Sequence, residues 1–304
     1  MKLKGGKAVK GLIIEVLLPV YGLMAIGFFL GWLKRELDTK DVSELVLTVF
    51  APALVLHFFR RSDFSVDSLV RVFAVSLGIV VVCYVLVFLF EIFFLRRRSR
   101  AFEISSVFMN SGYLGLPLIY LLFGDRAMVY AIAFSVSMTM LHFTMGLVLL
   151  QKGSIFSGIT KVLRMPVVWA IPLGLLFRKV FLPPGVEKML ALTGNATLPV
   201  MLVAIGISLS RITASHLVLG LWATLLRFGG GFVGSLVVCG IAGCPHDLRN
   251  VLAVQAALPS AVMNYVLCEQ MGEEPEIAAS IIFVSTAAFP LFLIFLKLFS
   301  PAIS

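Results

Sequence analysis

Two short runs of this chain combine amide side chains with residues that interrupt helices. One covers residues 110–117, with Asn110, two glycines and a proline, and the other covers residues 255–264, with Gln255, Pro259 and Asn264. Proline removes a backbone donor and clashes with the preceding turn, so neither run favours a continuous helix. Interrupted helices expose N-terminal N–H groups that suit anions, and carboxamides can hydrogen-bond a small ligand. The pattern predicts a binding site for a small anion.

In this site the prolines and glycines would create the breaks and the amides would bind the substrate. The predicted members are Asn110, Gly112, Gly115, Pro117, Gln255, Pro259, Ser260 and Asn264. Arg227 is a further candidate because ionisable groups within apolar runs are costly and often functional. It could balance the charge of a substrate anion, or it could pair internally or reach the interface. The four cysteines form no CxxC pair, and no metal site is predicted.

The composition places these runs in a membrane protein. Hydrophobic residues make up 60% of the 304 residues, charged residues only 13%, and the mean hydropathy is +1.04. A soluble domain carries about 25% charged residues, so these charges are too few for a water-soluble surface. The net charge of +9 comes from Lys and Arg in short gaps between apolar stretches. That distribution is typical of membrane-helix flanks, and it excludes nucleic acid as a partner.

Ten apolar runs approach the length of about 20 residues that a membrane-crossing helix needs. The first is too long for the hydrophobic part of a signal peptide, so we expect it to be a retained helix. The fold class is therefore an all-α polytopic membrane protein. The predicted spans are 11–33, 42–59, 69–95, 104–123, 127–150, 166–181, 189–209, 217–241, 251–267 and 277–299, and the connection 151–165 is expected at the interface.

The two halves of the chain are similar at an offset of 147 residues. Pro19 falls on Pro166 and Pro52 on Pro199, and the two interrupted runs occupy matching places. A repeat with an odd number of helices enters the membrane from opposite sides in its two copies. We therefore predict inverted five-helix repeats at 1–150 and 151–304, which together form one membrane domain with broken helices 4 and 9. Such repeats are typical of secondary transporters.

Three stretches resemble the auxin efflux carrier family, which includes the plant PIN-FORMED exporters and prokaryotic permeases. The run at 110–118 (NSGYLGLPL) resembles its fourth helix, 194–199 (GNATLP) its seventh, and 256–259 (AALP) its ninth. The resemblance implies ten helices with both termini outside, substrate held where helices 4 and 9 cross, and an elevator-like movement. The resemblance also implies that Asn110, Pro117 and Pro259 match the positions at which helices 4 and 9 cross.

The chain also departs from this family and from its relatives. The Asn-Pro that often opens the sixth helix is Met165-Pro166 here, and the long cytoplasmic loop of some plant exporters is missing from the sequence. The resemblance therefore does not single out auxin. The related bile-acid symporters use sodium. No Asp lies within a predicted span, so a dedicated sodium cage is poorly supported, although backbone carbonyls could still hold the ion.

The sequence carries none of the motifs GxSxG, HExxH, a P-loop or a GxGxxG in context, so we do not expect an enzyme. We predict a secondary transporter of small organic anions, such as malate, malonate or indole acetate. The alternative is a channel or a ligand-sensing membrane protein. No cofactor is expected, and coupling to Na⁺ or H⁺ stays open. His57 and His142 are either proton carriers or structural histidines.

The expected location is the cell membrane, with extracytoplasmic termini. The positive-inside rule alone does not decide the orientation, because the four N-terminal lysines, Lys2, Lys4, Lys7 and Lys10, oppose the cluster at 96–100. The predicted partners are the substrate anion and the lipid bilayer, and a homodimer stays open.

Overall fold

The computed structural model describes residues 9–37, 39–150 and 155–299, and their regular structure is helical apart from one isolated β-bridge. The N-terminal lysines Lys2, Lys4 and Lys7 lie outside the described residues. Thirteen helices follow one another within the described ranges. They are α1 (Val9–Leu33), α2 (Lys40–Arg60), α3 (Val66–Leu95), α4 (Arg100–Val107), α5 (Gly115–Phe123), α6 (Asp125–Leu149), α7 (Ile155–Leu163), α8 (Pro166–Lys179), α9 (Pro184–Leu209), α10 (Leu217–Ile241), α11 (His246–Ala256), α12 (Val262–Met271) and α13 (Pro275–Leu298).

Seven of these helices are long and apolar enough to cross a membrane: α1, α2, α3, α6, α9, α10 and α13. Helices α7 and α8 pass the same test as a pair that is bent by 59°, which would give up to eight spans. The outward faces of the long helices carry large exposed hydrophobic side chains, such as Leu18 of α1, Phe94 of α3 and Leu291 of α13. Apolar surface on this scale is stable in lipid rather than in water. The protein is therefore an all-helical, multi-pass membrane protein.

The sixth predicted span corresponds to a bent pair of helices. Pro166 begins α8, where the N–H that proline lacks would have no helical partner in any case; α8 ends at Lys179, and α7 precedes it. Most of the connection expected at 151–165 is thus helical. A Cβ on Gly158 of α7 would overlap the backbone at Phe143, so α7 packs closely against α6.

The predicted fourth and ninth spans are each two short helices. Residues 108–114, here called the first break, separate α4 from α5, and residues 257–261, the second break, separate α11 from α12. Each short helix has only 8 to 11 residues, about half of what a complete crossing needs. The breaks are the feature that positions the candidate site.

The helices pack in two groups on either side of the breaks. In one group α1 packs on α9, and α2 packs on both α8 and α9; in the other, α3 and α10 pack together with α4, α6, α11 and α13. Glycines permit the closest approach in the first group, because a Cβ on Gly27 would overlap the carbonyl of Val203 and one on Gly206 that of Met24. Small residues at such contacts allow two membrane helices to pack closely.

Candidate substrate site at two broken helices

The two breaks are hydrogen-bonded to each other through their backbones. The N–H of Asn110 donates to the carbonyl of Pro259 at 2.9 Å, and that of Ala261 donates to the carbonyl of Phe108 at 3.1 Å. Met109 and Ser260 thereby form an antiparallel bridge. A break in a membrane helix frees backbone groups that must find partners inside the protein. Here each break supplies partners for the other.

Side chains of the second half reinforce this crossing. The fully buried Asn264 donates from Nδ2 to the carbonyl of Phe108 at 3.0 Å and to Oγ of Ser260 at 2.9 Å. The Ser260 N–H in turn donates to Oγ of Ser285 at 3.1 Å. Ser285 stands in α13, so three elements meet at the crossing. Ser285 is not among the site residues that the sequence predicts.

The start of α5 also contacts the second half closely. Gly115 donates its N–H to the carbonyl of Asn110 at 3.0 Å. A Cβ at this position would lie 2.8 Å from Cδ1 of Leu258 and 3.0 Å from Nε2 of Gln255. Any residue larger than glycine would therefore displace these two side chains. The buried Gln255 reaches the carbonyl of Ser111 at 3.4 Å, and its Oε1 lacks a hydrogen-bond partner.

A cavity of about 140 Å³ lies against the breaks, between α2 on one side and α6 on the other. This volume is enough for a cluster of waters or a small organic molecule. No Asp, Glu, Lys or Arg lines it. Its polar lining comes from Asn110, Ser111, Tyr113, Ser135, Thr139 and His142, and five methionines, Met109, Met138, Met165, Met201 and Met263, supply much of the apolar wall.

The predicted site residues fall into three places. Asn110 and Gly112 line the cavity, whereas Gly115, Gln255, Pro259, Ser260 and Asn264 belong to the crossing behind it. Pro117 faces a second groove of about 260 Å³, which it lines with Pro19 and Pro199. The structure therefore brings most of these residues together, but only two of them face the cavity directly.

His142 occupies a position that the sequence did not single out for the site. It lines the cavity, its ring stacks on Phe108 at a centroid distance of 4.5 Å, and it lies beside the Asn264 side chain. Its buried Nε2 has no hydrogen-bond partner. Ser135 and Thr139 line the same cavity from the preceding turns. Their spacing of four and then three residues puts all three on one helix face, which is a signal that the sequence contained.

Arg227 does not line the cavity. Its side chain is fully buried, and its guanidinium donates to the carbonyls of Ser106 at 3.0 Å, Val107, and Ala256 at 2.5 Å. These carbonyls belong to the last turns of α4 and α11. Of the alternatives that the sequence left open, internal pairing is the one observed, although the partners are carbonyls and not an acid.

Glu15 is exposed on α1, and His57 lies outside the cavity lining. Neither residue contributes to the site that the breaks form. Groups of three or more His, Cys, Asp or Glu that could hold a metal are absent from the part of the chain that the structure describes.

A multi-pass helical bundle with an internal cavity beside two broken helices has the architecture of a membrane transporter. The chain belongs to the family described as membrane transport protein, the auxin efflux carrier family, whose profile matches residues 12–296. It is 28% identical over 288 residues to an uncharacterized transporter of Methanothermobacter thermautotrophicus, which covers 90% of this chain and 93% of that protein. An uncharacterized transporter of Methanocaldococcus jannaschii is 26% identical over 292 residues, covering 90% and 94%.

These matches confirm the predicted family and the prediction of a membrane transporter rather than an enzyme.

Proposed function

We propose that this transporter is a secondary carrier of small organic anions and that its substrate binds in the cavity beside the two breaks. The observation that carries the proposal is the lining of this cavity. Gly112 and Tyr113, which precede α5, and Ala261, which precedes α12, line it together with Met263 of α12. Helix N-termini carry partial positive charge. Such ends attract a carboxylate although no basic side chain is present.

The neutral polar side chains fit the same class of ligand. Asn110 offers a hydrogen-bond donor, the Thr139 hydroxyl, which itself donates to the carbonyl of Ser135 at 2.9 Å, offers an acceptor, and His142 adds a polar ring to the lining. The methionine-rich remainder suits an apolar or aromatic body, because methionine adapts to irregular shapes. The helix ends and the polar lining suit a small carboxylate such as malate or malonate, and the apolar wall suits in addition an aromatic acid such as indole acetate.

Ten spans in two inverted repeats, 1–150 and 151–304, form the architecture of the proposed carrier. The packing supports this count, because exchanging the two halves turns several of the main helix contacts into other observed ones. The α1–α9 pair corresponds to α2–α8, the α3–α6 pair to α10–α13, and the α4–α13 pair to α6–α11. An elevator-type movement of the second packing group against the first would expose the cavity alternately to the two sides.

We further propose that both termini are extracytoplasmic. The connection between α3 and α4 carries Arg96, Arg97 and Arg98, and Arg97 and Arg100 pair with Glu274 and Glu273 at the far end of α12. Clustered arginines favour the cytoplasmic side. Impermeant thiol reagents should therefore label Asp63→Cys, but not Arg96→Cys, from outside intact cells. The opposite labelling pattern would reverse this orientation.

Exchange in proteoliposomes tests the function. Purified protein is reconstituted, and uptake and counterflow of radiolabelled malate, malonate and indole acetate are measured under imposed Na⁺, H⁺ and voltage gradients. A carrier shows saturable uptake that is accelerated by the same acid inside. The carrier proposal fails if none of the acids is exchanged under any gradient. Ungated flux at pore rates without counterflow would indicate a channel, and binding without flux would indicate a sensor.

Asn110→Asp is the matched variant for this assay. A carboxylate at the cavity wall would repel an anion, so uptake should fall at least tenfold, and Asn110→Ala should have a smaller effect. Asn250→Asp makes the same change near the start of α11 and outside the cavity lining, and it should leave uptake unchanged. Wild-type uptake by Asn110→Asp would remove this residue from the substrate site.

A further inference from the structure

The buried guanidinium of Arg227 joins the ends of the two broken helices from behind the cavity. Helix α4 ends at Val107 and α11 at Ala256, and Arg227 donates to the terminal carbonyls of both. Within the described ranges it forms no ion pair with an acidic side chain. Three helices therefore meet at one cation.

The charges of this arrangement balance. The C-terminal end of a helix carries roughly half a negative charge, so two converging ends carry about one. Carbonyls at these ends have no helical partner and need donors inside the protein. A single guanidinium supplies one positive charge and several donors in a fixed plane. Lysine supplies the same charge but not the planar set of donors. Arg227 therefore meets the electrostatic and the hydrogen-bonding needs of both ends.

The packing around Arg227 accommodates the guanidinium closely. A Cβ on Gly231, one turn along α10, would overlap the carbonyl of Ala256 and lie 2.5 Å from Nη2 of Arg227. Glycine at 231 thus allows α10 to approach α11 closely enough for the contact. Nη2 also lies 3.6 Å from Sγ of Cys83 on α3.

We propose that Arg227 is the positioning residue of the substrate site and sets its preference for anions without touching the substrate. It fixes the ends of α4 and α11, which holds the two breaks against each other. It also cancels the negative ends of these helices, so that the positive N-terminal ends of α5 and α12 dominate the potential in the cavity. The preference for anions rests on the proposed function, whereas the bracing of the crossing does not.

Hydrogen exchange tests the bracing without any substrate. Backbone exchange in purified protein is measured by mass spectrometry for peptides that cover the first and second breaks. Arg227→Met should accelerate exchange there at least tenfold, because the hydrogen bonds of Asn110 and Ala261 open more often. Arg211→Met removes an exposed arginine and should leave both peptides unchanged. A folded Arg227→Met protein with wild-type exchange at the breaks overturns the proposal.

Arg227→Lys is the variant to measure in the same exchange experiment if Arg227→Met does not fold. Lysine keeps the charge but cannot span the carbonyls of both helices, so exchange at the breaks should still accelerate severalfold. Exchange as slow as in the wild type would show that the guanidinium does not brace the crossing.

The ratio of uptake between an acid and its neutral amide tests the electrostatic part. This ratio should fall at least tenfold in Arg227→Met and stay near the wild-type value in Arg227→Lys. An unchanged ratio in Arg227→Met overturns the electrostatic part. If the wild type moves no acid at all, the proposed function fails, and the exchange measurements still decide whether Arg227 braces the crossing.

Discussion

The backbone N–H of Asn110 donates a 2.9 Å hydrogen bond to the carbonyl oxygen of Pro259, which links the break in one half of the chain to the break in the other. Proline has no N–H of its own but keeps its carbonyl, so Pro259 both interrupts the helix and accepts the bond. The two breaks are thus one hydrogen-bonded unit. A movement that displaces one of them must displace the other or break these bonds.

Gly231→Ala should destabilise the protein, because its Cβ would overlap the carbonyl of Ala256 and force α10 away from α11. Overpacking of this kind costs about 1–3 kcal/mol. Thermal unfolding in detergent measures the effect. Gly229→Ala is the matched control in the same helix, since no atom lies within 4 Å of its Cβ, and it should be neutral or slightly stabilising. Equal unfolding temperatures for the two variants would contradict the close approach.

Asn264→Leu should also destabilise the protein. The variant removes the donors to the carbonyl of Phe108 and to Oγ of Ser260 in a fully buried place. Leaving buried acceptors with fewer partners costs about 1–3 kcal/mol. Asn195→Leu changes an exposed amide and should unfold like the wild type. If Asn264→Leu unfolds at the wild-type temperature, the amide does not hold the crossing together.

The breaks were predictable from the sequence because their causes are local. Pro259 and the glycines near Asn110 act on their own turns, and the apolar composition alone requires a membrane. The partners of Arg227 were not predictable, since Val107 and Ala256 approach it only after α4 and α11 have packed on α10. The same holds for Gln255 and Pro117, because tertiary packing decides which face of a short helix meets the cavity.

His142→Phe should weaken substrate binding while the protein stays folded. Phenylalanine can keep the stacking on Phe108, but it removes the ring nitrogens of a residue that lines the cavity. Loss of one hydrogen bond to substrate is worth about 1–1.5 kcal/mol, so the KM for uptake should rise roughly 5- to 15-fold. His57→Phe, on α2 and outside the cavity lining, should leave KM unchanged. A shift of the same size in both variants would argue against a contact with substrate.

Gly112→Leu should abolish uptake without unfolding the protein. Gly112 lines the cavity, and the one atom within 4 Å of its Cβ is Oγ of Ser135, at 3.3 Å. A leucine therefore extends into the space that the substrate needs. Gly229→Leu adds the same side chain in open space on α10 and should retain uptake.

A double-mutant cycle on Gly112 and Ser135 separates blocking of the cavity from other effects. Gly112→Ala should raise KM severalfold, because the new methyl group presses on the Ser135 hydroxyl and displaces it into the cavity. Removing that hydroxyl relieves the contact, so Gly112→Ala with Ser135→Ala should recover part of the loss. Residues in contact usually show a coupling of about 0.5–3 kcal/mol. Strictly additive effects on KM would show that the two positions do not share one cavity wall.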